Sequence, residues 1–416
     1  MSWKELQLGD GIHVKHGFAF KGEYFASSGE YMVLTPGNFL EKGGFRVRDG
    51  KERYYHTDFP EDYLLSEGDL IVAMTEQGEG LLGSAARIPA EGKYLHNQRL
   101  GLVQIVRPDL LDKRFLYWVF NSSPVRAQIR ATATGAKVKH TAPERIKKVR
   151  FMAPELREQQ AVAFVLDSYD ELIATNQRRI ALLEGAARRL YREWFVQLRF
   201  PGHELVPVKD RVPEGWGKSS IAEQTSFLNR GIAPKYDDTA KGWVINQKCI
   251  RDGRLLFEPA RRQSKDVKPE RLVRLGDVLI NSTGAGTLGR VAQVRSPLVD
   301  CTVDTHVTIA RPLNDDSATY FGQALLSLES VFAQMGKGAT NQLELGRADI
   351  GAMEIWRPPL EIQREFHRLA WPMLEQAEQL ATANKALAKA RDLLLPKLMS
   401  GQLDVSGIPL PDEVSA

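Results

Sequence analysis

Residues 284–289, Gly-Ala-Gly-Thr-Leu-Gly, have the GxGxxG spacing of a dinucleotide-binding turn. In such a site the glycines open a helix whose N-terminus holds a pyrophosphate. Here residues 278–282 predict a strand before the turn, and residues 290–297 predict a second strand that ends at a proline. Residues 78–83 repeat the glycine spacing and are also followed by a strand-like run. The pattern therefore favours two β–turn–β units over two nucleotide sites.

Signatures of other catalytic sites are missing from the sequence. An S-adenosylmethionine-dependent amino-methyltransferase needs an Asn/Asp-Pro-Pro-Tyr/Phe tetrad, and the chain has only Arg-Pro-Pro-Leu at residues 357–360. It has no GxxxxGK[ST] loop for ATP. Its eight histidines are scattered, without HExxH or paired-cysteine spacing for a metal. We therefore predict that the chain is not an enzyme and holds no cofactor or metal of its own.

Positive charge is concentrated in two segments. Residues 113–150 contain ten Lys and Arg against one acid, and residues 248–274 contain nine against four. Residues 155–199, by contrast, hold seven of each sign. Local basic patches are the electrostatic pattern expected for phosphate contacts, although a solvated basic surface explains either patch taken alone.

Binding chemistry is left for the polar and basic side chains of the turns. Lys, Arg, Asn, Gln and Thr beside a sheet can contact phosphates and base edges, and ordinary loop polarity is the competing explanation. The predicted DNA-binding residues are Lys15, Lys21, Arg46, Arg48, Gln77, Asn97, Gln98, Arg99, Lys137, Lys139 and His140 in the first half, and Arg230, Asn246, Gln247, Lys248, Arg251, Arg261, Arg262, Thr283, Thr305, His306, Thr340, Asn341 and Gln342 in the second.

These residues lie in a chain that is duplicated. Pro154 opens a long helical run, and Pro358 opens another 204 residues later (358 − 154). Upstream, Gly68-Asp69 corresponds to Gly276-Asp277 with a shift of 208 residues. Since order and spacing are both kept, we expect two globular heads, each mostly β and each followed by one long helix.

Both helical runs predict coiled-coil segments that pair antiparallel. Apolar residues recur at steps of three and four along residues 155–196, with a polar Asn in the seam that would specify register. A helix of that length spans about 60 Å and needs a partner helix, although Pro372 should kink or interrupt the second run. The predicted seam and subunit-binding residues are Leu172, Asn176, Ile180, Leu183, Leu190, Trp194, Leu380, Leu387 and Leu394.

Bulk composition fits a globular protein. The 416 residues are 43% hydrophobic and 26% charged, enough for two or three domains. The N-terminus has no apolar run of a signal peptide, and no stretch approaches the ~20 apolar residues of a membrane span. With only two cysteines, the sequence predicts a cytoplasmic protein without a structural disulfide.

The two Pro…Gln helix openings, the Leu-Tyr-Arg-Glu-Trp-Phe sequence at residues 190–195, and the order of two heads and two helices resemble the specificity (S) subunits of type I restriction–modification systems. The resemblance covers essentially the whole chain. It implies target-recognition domains at residues 1–153 and 200–357, conserved helices at 154–199 and 358–403, and a tail at 404–416. The implied fold class is α+β, with the two helices paired as an antiparallel coiled coil.

The resemblance also implies a function. Each head would read one half of a split, asymmetric double-stranded DNA site, while the helices set the spacer and bind two methyltransferase (M) subunits. Restriction (R) subunits would join that core, and S-adenosylmethionine, ATP and Mg would bind those partners and not this chain. Two alternatives remain: a coiled-coil scaffold that binds only proteins, and a stand-alone DNA-modifying enzyme.

Overall fold

The computed structural model of the chain describes residues 3–48, 50–338 and 343–411. The chain divides into two compact units, and each unit contains one head and a part of each of the two long helices. Unit 1 consists of the residues up to Ala174 and those from Lys385 onward, and unit 2 consists of Thr175–Asn384. Among the described residues, no helix carries an apolar stretch long enough to cross a bilayer.

Unit 1 contains head 1, which we define as residues 3–153. Its helices are α1 (Lys113–Asn121), α2 (Ser123–Ala131) and α3 (Pro143–Lys147). Its strands, β1 to β13 in chain order, are Lys4–Gln7, Ile12–His16, Phe25–Ala26, Tyr31–Val33, Tyr54–Tyr55, Leu64–Leu65, Leu70–Ala73, Thr75–Glu76, Ala85–Arg87, Tyr94–Leu95, Leu100–Ile105, Lys139–His140 and Arg150–Ala153.

Two sheets form the centre of head 1. One is antiparallel with the order β2-β11-β7-β9, and the other has the order β3-β5-β4-β10-β6 with β4 and β10 parallel. Strand β7 reads Leu-Ile-Val-Ala and is buried at every position, because side chains of alternating direction pack into cores on both faces of the sheet. Helices α1 and α2 cover one face, where they share a core with Leu70 and Val72 of β7.

Unit 2 contains head 2, residues 200–357, and repeats this plan. Its helices are α5 (Ala318–Ser327), α6 (Glu329–Gln334) and α7 (Arg347–Ala352). Its strands, β14 to β26 in chain order, are Val208–Lys209, Val212–Pro213, Gly217–Ser220, Thr225–Arg230, Gly242–Ile245, Ile250–Arg251, Arg254–Leu255, Arg261–Gln263, Val278–Asn281, Val291–Gln293, Cys301–Val303, Val307–Pro312 and Glu354–Arg357.

The topology of head 2 confirms the duplication. The sheet order β17-β25-β22-β23 matches β2-β11-β7-β9 of head 1, and the pair β16-β26 matches β1-β13. The parallel pair β18-β24 corresponds to β4-β10. The mixed α+β class predicted from the sequence is therefore confirmed, and the glycine turns lie between antiparallel strands.

The duplicated Pro…Gln motif has a physical role at the start of each long helix. Helix α4 (Leu156–Tyr191) continues into a π-helical turn, Arg192–Val196, and helix α8 spans Leu360–Met399. The buried Gln159 Nε2 donates to Pro154 O at 2.9 Å, and the buried Gln363 Nε2 donates to Pro358 O at 2.7 Å. These glutamines satisfy carbonyls that the helix itself leaves unpaired, so each head enters its helix in the same way.

The long helices pair antiparallel. In unit 2, Asn176 Nδ2 donates to Asn384 Oδ1 at 2.9 Å, whereas Trp194, in the π-helical turn that follows α4, contacts Phe366, which lies earlier on α8. In unit 1, Asp170 forms an ion pair with Arg391. The seam position predicted for Asn176 is confirmed by its burial, and its partner is a second asparagine.

Other predicted seam residues divide into three groups. Ile180 and Trp194 are buried, and the half-buried members are Leu183, Leu190, Leu380, Leu387 and Leu394. Leu172 is 46% exposed, so its assignment to the seam was wrong: the helix turns it outward at that point. Of the two effects expected at Pro372, a kink or an interruption, the interruption was wrong, because α8 continues through this proline without a break.

The residues after α8 contribute to unit 1. Val405 is buried in the core that contains Leu398, and Ile408 and Leu410 pack against that core. Residues 404–411 are thus part of unit 1 and not a separate segment beside it.

Candidate nucleic-acid interface

Backbone hydrogen bonds bring three predicted segments of head 1 together. Met74 at the end of β7 donates its N–H to Arg99 O at 3.0 Å and accepts at its own carbonyl from Thr141 N at 2.9 Å. Next to it, Thr75 of β8 pairs with His140 of β12. We call the resulting surface, formed by Gln77, residues 97–99 and residues 137–140, the loop rim of head 1.

The side chains of this rim face solvent. Gln77, Gln98, Arg99, Lys137, Lys139 and His140 are exposed, and Asn97 is half-buried. Lys137 lies on a turn closed by the reciprocal backbone bonds between Thr134 and His140. This turn requires glycine at position 135, where φ is +102° and a Cβ would collide with Val138 O. The rim therefore presents positive charge on a hydrogen-bonded framework.

A buried acid and a buried arginine hold the turn that carries Gln77. The Glu76 carboxylate accepts the backbone N–H groups of Gly80, Leu81 and Leu82 at 2.8–3.1 Å. The Arg126 guanidinium donates to the carbonyls of Gly80 at 2.5 Å and Leu82 at 3.1 Å. Burial is the main cause that lowers the pKa of Arg126 to about 10. The two side chains satisfy both polarities of the turn, which fixes the exposed residues between them.

Head 2 has a corresponding loop rim, formed by Arg230, Gln247, Thr283, Thr305 and His306. Asn281 at the end of β22 donates its Nδ2 to Gln247 O at 3.0 Å, which joins two of its segments. Thr305 and His306 are exposed, whereas Arg230, Gln247 and Thr283 are half-buried. This rim lies at the strand ends that correspond to those of head 1.

His306 is oriented by two contacts. Its Nδ1 and the Thr283 Oγ1 are 2.6 Å apart, and its backbone N–H donates to the buried Asp304 Oδ1 at 2.9 Å. Burial raises the pKa of the Asp304 carboxyl, and the hydrogen bond from His306 opposes that shift. The Thr283 contact therefore fixes the direction of the imidazole, and within the described part of the chain no hydrogen bond involves its Nε2.

Glu344 joins two other described segments of head 2. Its carboxylate pairs with Arg230 Nη1 at 2.6 Å, and its backbone pairs with Lys337. Leu345 N donates to Ser282 O at 2.8 Å, so the segment is attached beside Thr283. Thr340, Asn341 and Gln342 lie outside the described residues.

Several predicted residues make contacts away from the two rims. The Lys15 ammonium donates to Asp62 O at 2.7 Å, and Arg46 Nε donates to Gly37 O at 2.9 Å. In head 2, Arg261 and Arg262 lie over the rings of Tyr236 and Trp243, Arg251 pairs with Asp252, and Asn246 donates to Pro259 O. Lys21 and Lys248 are exposed and Arg48 is half-buried.

The sequence interpretation missed the residues that shape the rims. Glu76, Arg126, Asp304 and Glu344 act through partners as far as 114 residues away (344 − 230), as in the ion pair between Glu344 and Arg230. Spacing alone could have indicated only Asp304, because an Asx residue two positions before an exposed side chain is a turn signal.

Comparisons with known proteins agree with this architecture. Residues 1–185 match the family model described as "Type I restriction modification DNA specificity domain". The EcoBI specificity subunit of Escherichia coli is 25% identical over 97% of this chain and 86% of its own length. The MjaIX specificity subunit of Methanocaldococcus jannaschii is 25% identical over 73% of this chain and 72% of its own.

The chain is similar to the specificity subunits of type I restriction–modification systems over nearly its whole length, and its first 185 residues match their DNA specificity domain. A specificity subunit is non-catalytic, and its function is DNA sequence recognition together with the other subunits of such a system. The fold agrees with this assignment. The crystal structure of the type I restriction–modification system S subunit from M. genitalium superposes with a TM-score of 0.62 at 17% identity, covering 96% of each chain.

Proposed function

We propose that the loop rims of head 1 and head 2 each bind one half of a split DNA site. The observation that carries the proposal is that polar and basic side chains, exposed or half-buried, recur at the same strand ends of two duplicated heads. Phosphate contacts by Lys137 and Lys139 would position head 1, and amide, guanidinium and imidazole groups of the rims would read base edges. Two heads with different rim residues would read two different half-sites, which makes the complete site asymmetric.

The paired helices would bind the methyltransferase subunits. Leu172, Leu182 and Leu393 are 46%, 66% and 60% exposed on α4 and α8. Large apolar side chains left in water on paired helices are the groups that a helical partner surface would bury. The catalytic chemistry, with S-adenosylmethionine, ATP and Mg, would belong to methyltransferase and restriction subunits.

Co-expression with the neighbouring methyltransferase gene tests DNA recognition. Single-molecule sequencing of the host DNA should reveal a split motif of modified bases that appears only when both chains are present. A stable complex that produces no new modification would contradict sequence recognition and favour the protein-binding scaffold. Purified chain that modifies DNA without a partner would instead indicate a stand-alone enzyme.

The same sequencing tests whether the helices set the spacer. One heptad inserted into α4 and one into α8 would lengthen the pair by about 10 Å, or roughly three base pairs. We expect a longer spacer with both half-sites unchanged. An altered half-site beside an unchanged spacer would refute this role of the helices.

Partner binding has its own test. Leu182→Lys should weaken co-purification of the methyltransferase subunit, because it places a charge in the proposed contact. Leu205→Lys is the matched control, since Leu205 is 88% exposed and lies outside the long helices. If both variants co-purify the methyltransferase subunit with the same yield as the wild-type chain, docking at Leu182 is contradicted.

A further inference from the structure

Arg99 and His306 are held by the same backbone turn in the two heads. In head 1 the Asn97 Oδ1 accepts the backbone N–H of Arg99 at 3.0 Å. In head 2 the Asp304 Oδ1 accepts the backbone N–H of His306 at 2.9 Å. The shift between the two turns is 207 residues in both cases (304 − 97 and 306 − 99), so the residues are counterparts within the duplication.

The carbonyl groups of these residues are fixed in the same way. Arg99 O accepts from Met74 N at 3.0 Å, and His306 O accepts from Ser282 N at 2.8 Å. Met74 and Ser282 follow directly on the corresponding strands β7 and β22. Both polar backbone groups of each residue are therefore satisfied by the head, and only the side chain is left to face outward.

A close approach of two chain segments supports the turn from behind. A Cβ on Gly17 would lie 2.0 Å from Asn97 O, and a Cβ on Gly231 would lie 1.9 Å from Val303 O. Only glycine fits at such distances, so both heads retain one there. The backbone framework is therefore the same in both heads, and only the side chains that it carries differ.

The two side chains share hydrogen-bond donors and differ in shape. Arg99 is exposed, and within the described part of the chain no hydrogen bond or ion pair involves its guanidinium. His306 is also exposed, with Nδ1 beside the Thr283 hydroxyl. When that hydroxyl donates to Nδ1, the neutral ring carries its proton on Nε2, which is then an outward donor.

We propose that positions 99 and 306 are the specificity-determining positions at which each head contacts a purine edge in the major groove. The inference rests on the proposed function. Arg99 would donate to guanine O6 and N7 together, the geometry that a planar guanidinium matches best, whereas His306 would donate through Nε2 to one purine N7. A constant framework with a variable donor explains how duplicated heads read different half-sites.

Replacement of single purines by their 7-deaza forms tests this contact, because a 7-deazapurine lacks the N7 acceptor. The probe is the complex of the full chain with its methyltransferase subunit, bound to duplexes that contain the half-sites found by methylation sequencing. For the wild-type complex we expect one position in each half-site where the replacement lowers affinity about tenfold to a hundredfold. Arg99→Ala should abolish the effect in one half-site, and His306→Ala in the other.

Conservative and control variants separate base reading from charge. Arg99→Lys keeps the charge and loses the bidentate geometry, so it should retain general DNA affinity and lose the preference at that base. Arg107→Ala and Arg274→Ala are matched controls, because each removes an exposed arginine. Arg107 follows the end of β11 that is opposite Arg99, and Arg274 precedes the start of β22. Both should keep the wild-type sensitivity.

Two results would overturn the inference, and a third would overturn the proposed function. If Arg99→Ala and His306→Ala lower affinity for all sequences equally, the two side chains contact phosphates and the inference is wrong. If the 7-deaza effect survives in both variants, another residue reads the purine. If the wild-type complex shows no sequence preference at all, the proposed function itself fails.

Discussion

A fall in pH from 7.5 to 5.0 should destabilise unit 1 through His96. This side chain is 0% exposed, and its Nε2 lies 2.9 Å from Leu100 O. Because a carbonyl only accepts, Nε2 carries the ring proton, and Nδ1 has no hydrogen-bond partner in the described residues. Burial lowers the pKa of His96 to about 4, with smaller lowering by Lys15 and His16, while the bond to Leu100 acts in the opposite direction.

The sign and size follow from proton linkage. The unfolded chain takes up a proton at His96 near pH 6.5, whereas the folded chain does so only near pH 4. Stability is therefore fully present above pH 6.5 and is lost as the pH falls toward 4. Each pKa unit corresponds to about 1.4 kcal/mol, so the loss between pH 7.5 and 5.0 is about 2 kcal/mol.

Denaturant unfolding at both pH values measures this loss. The assay compares the wild-type chain with His96→Gln, which removes the titrating group and keeps a donor for Leu100 O. Buried acids such as Asp167 and Asp304, whose pKa values are raised by burial, change stability in the opposite direction. They are present in both proteins, so they cancel in the difference. The wild-type chain should lose about 2 kcal/mol more than the variant over this range.

An equal loss in the two proteins would refute the reasoning. So would an NMR titration in which His96 takes up its proton near pH 6.5 in the folded chain. The result also bears on DNA binding, because His96 O accepts from Phe18 N and the next three residues form the turn that carries Arg99.

Three further outcomes are expected. Lys137→Ala with Lys139→Ala should weaken binding to all DNA sequences and reduce the slope of log K against log salt by about two, as measured by titrations at several salt concentrations. Glu184→Gln should destabilise unit 2 by about 3 kcal/mol in denaturant unfolding, because it leaves Arg295, which Glu184 contacts at 2.8 Å, buried without its charge partner. Gly231→Ala should lower the melting temperature and abolish sequence preference, because its Cβ has no space.

Matched controls accompany these variants. Arg107→Ala removes a positive charge beyond the far end of β11 and should leave the salt slope unchanged. Glu193→Gln breaks an exposed pair with Arg199 and should cost less than about 1 kcal/mol. Gly22→Ala introduces a Cβ with nothing within 4 Å and should be tolerated. A control that behaves like its test variant would contradict the corresponding explanation.

The duplication and the helix openings could be predicted from the sequence because they depend on local patterns. Gln159 and Gln363 bond to prolines five residues earlier, so the motif and its physical cause lie in one short stretch. Buried strands such as β7 were also recognisable, since a strand that is buried on both faces has an uninterrupted apolar sequence. The polar turns of both rims were recognisable because they border such apolar runs in the sequence.

The tertiary structure decided which distant groups meet. Asn176 was predicted to lie in a seam, but its partner Asn384 is 208 residues away, and no local pattern specifies that pair. Leu172 follows the seam periodicity and is nevertheless exposed, because burial depends on which neighbour is present at that height of the helix. The shared framework of Arg99 and His306 likewise depends on backbone bonds between strands far apart in the chain, so only the folded structure shows that these two residues are counterparts in detail.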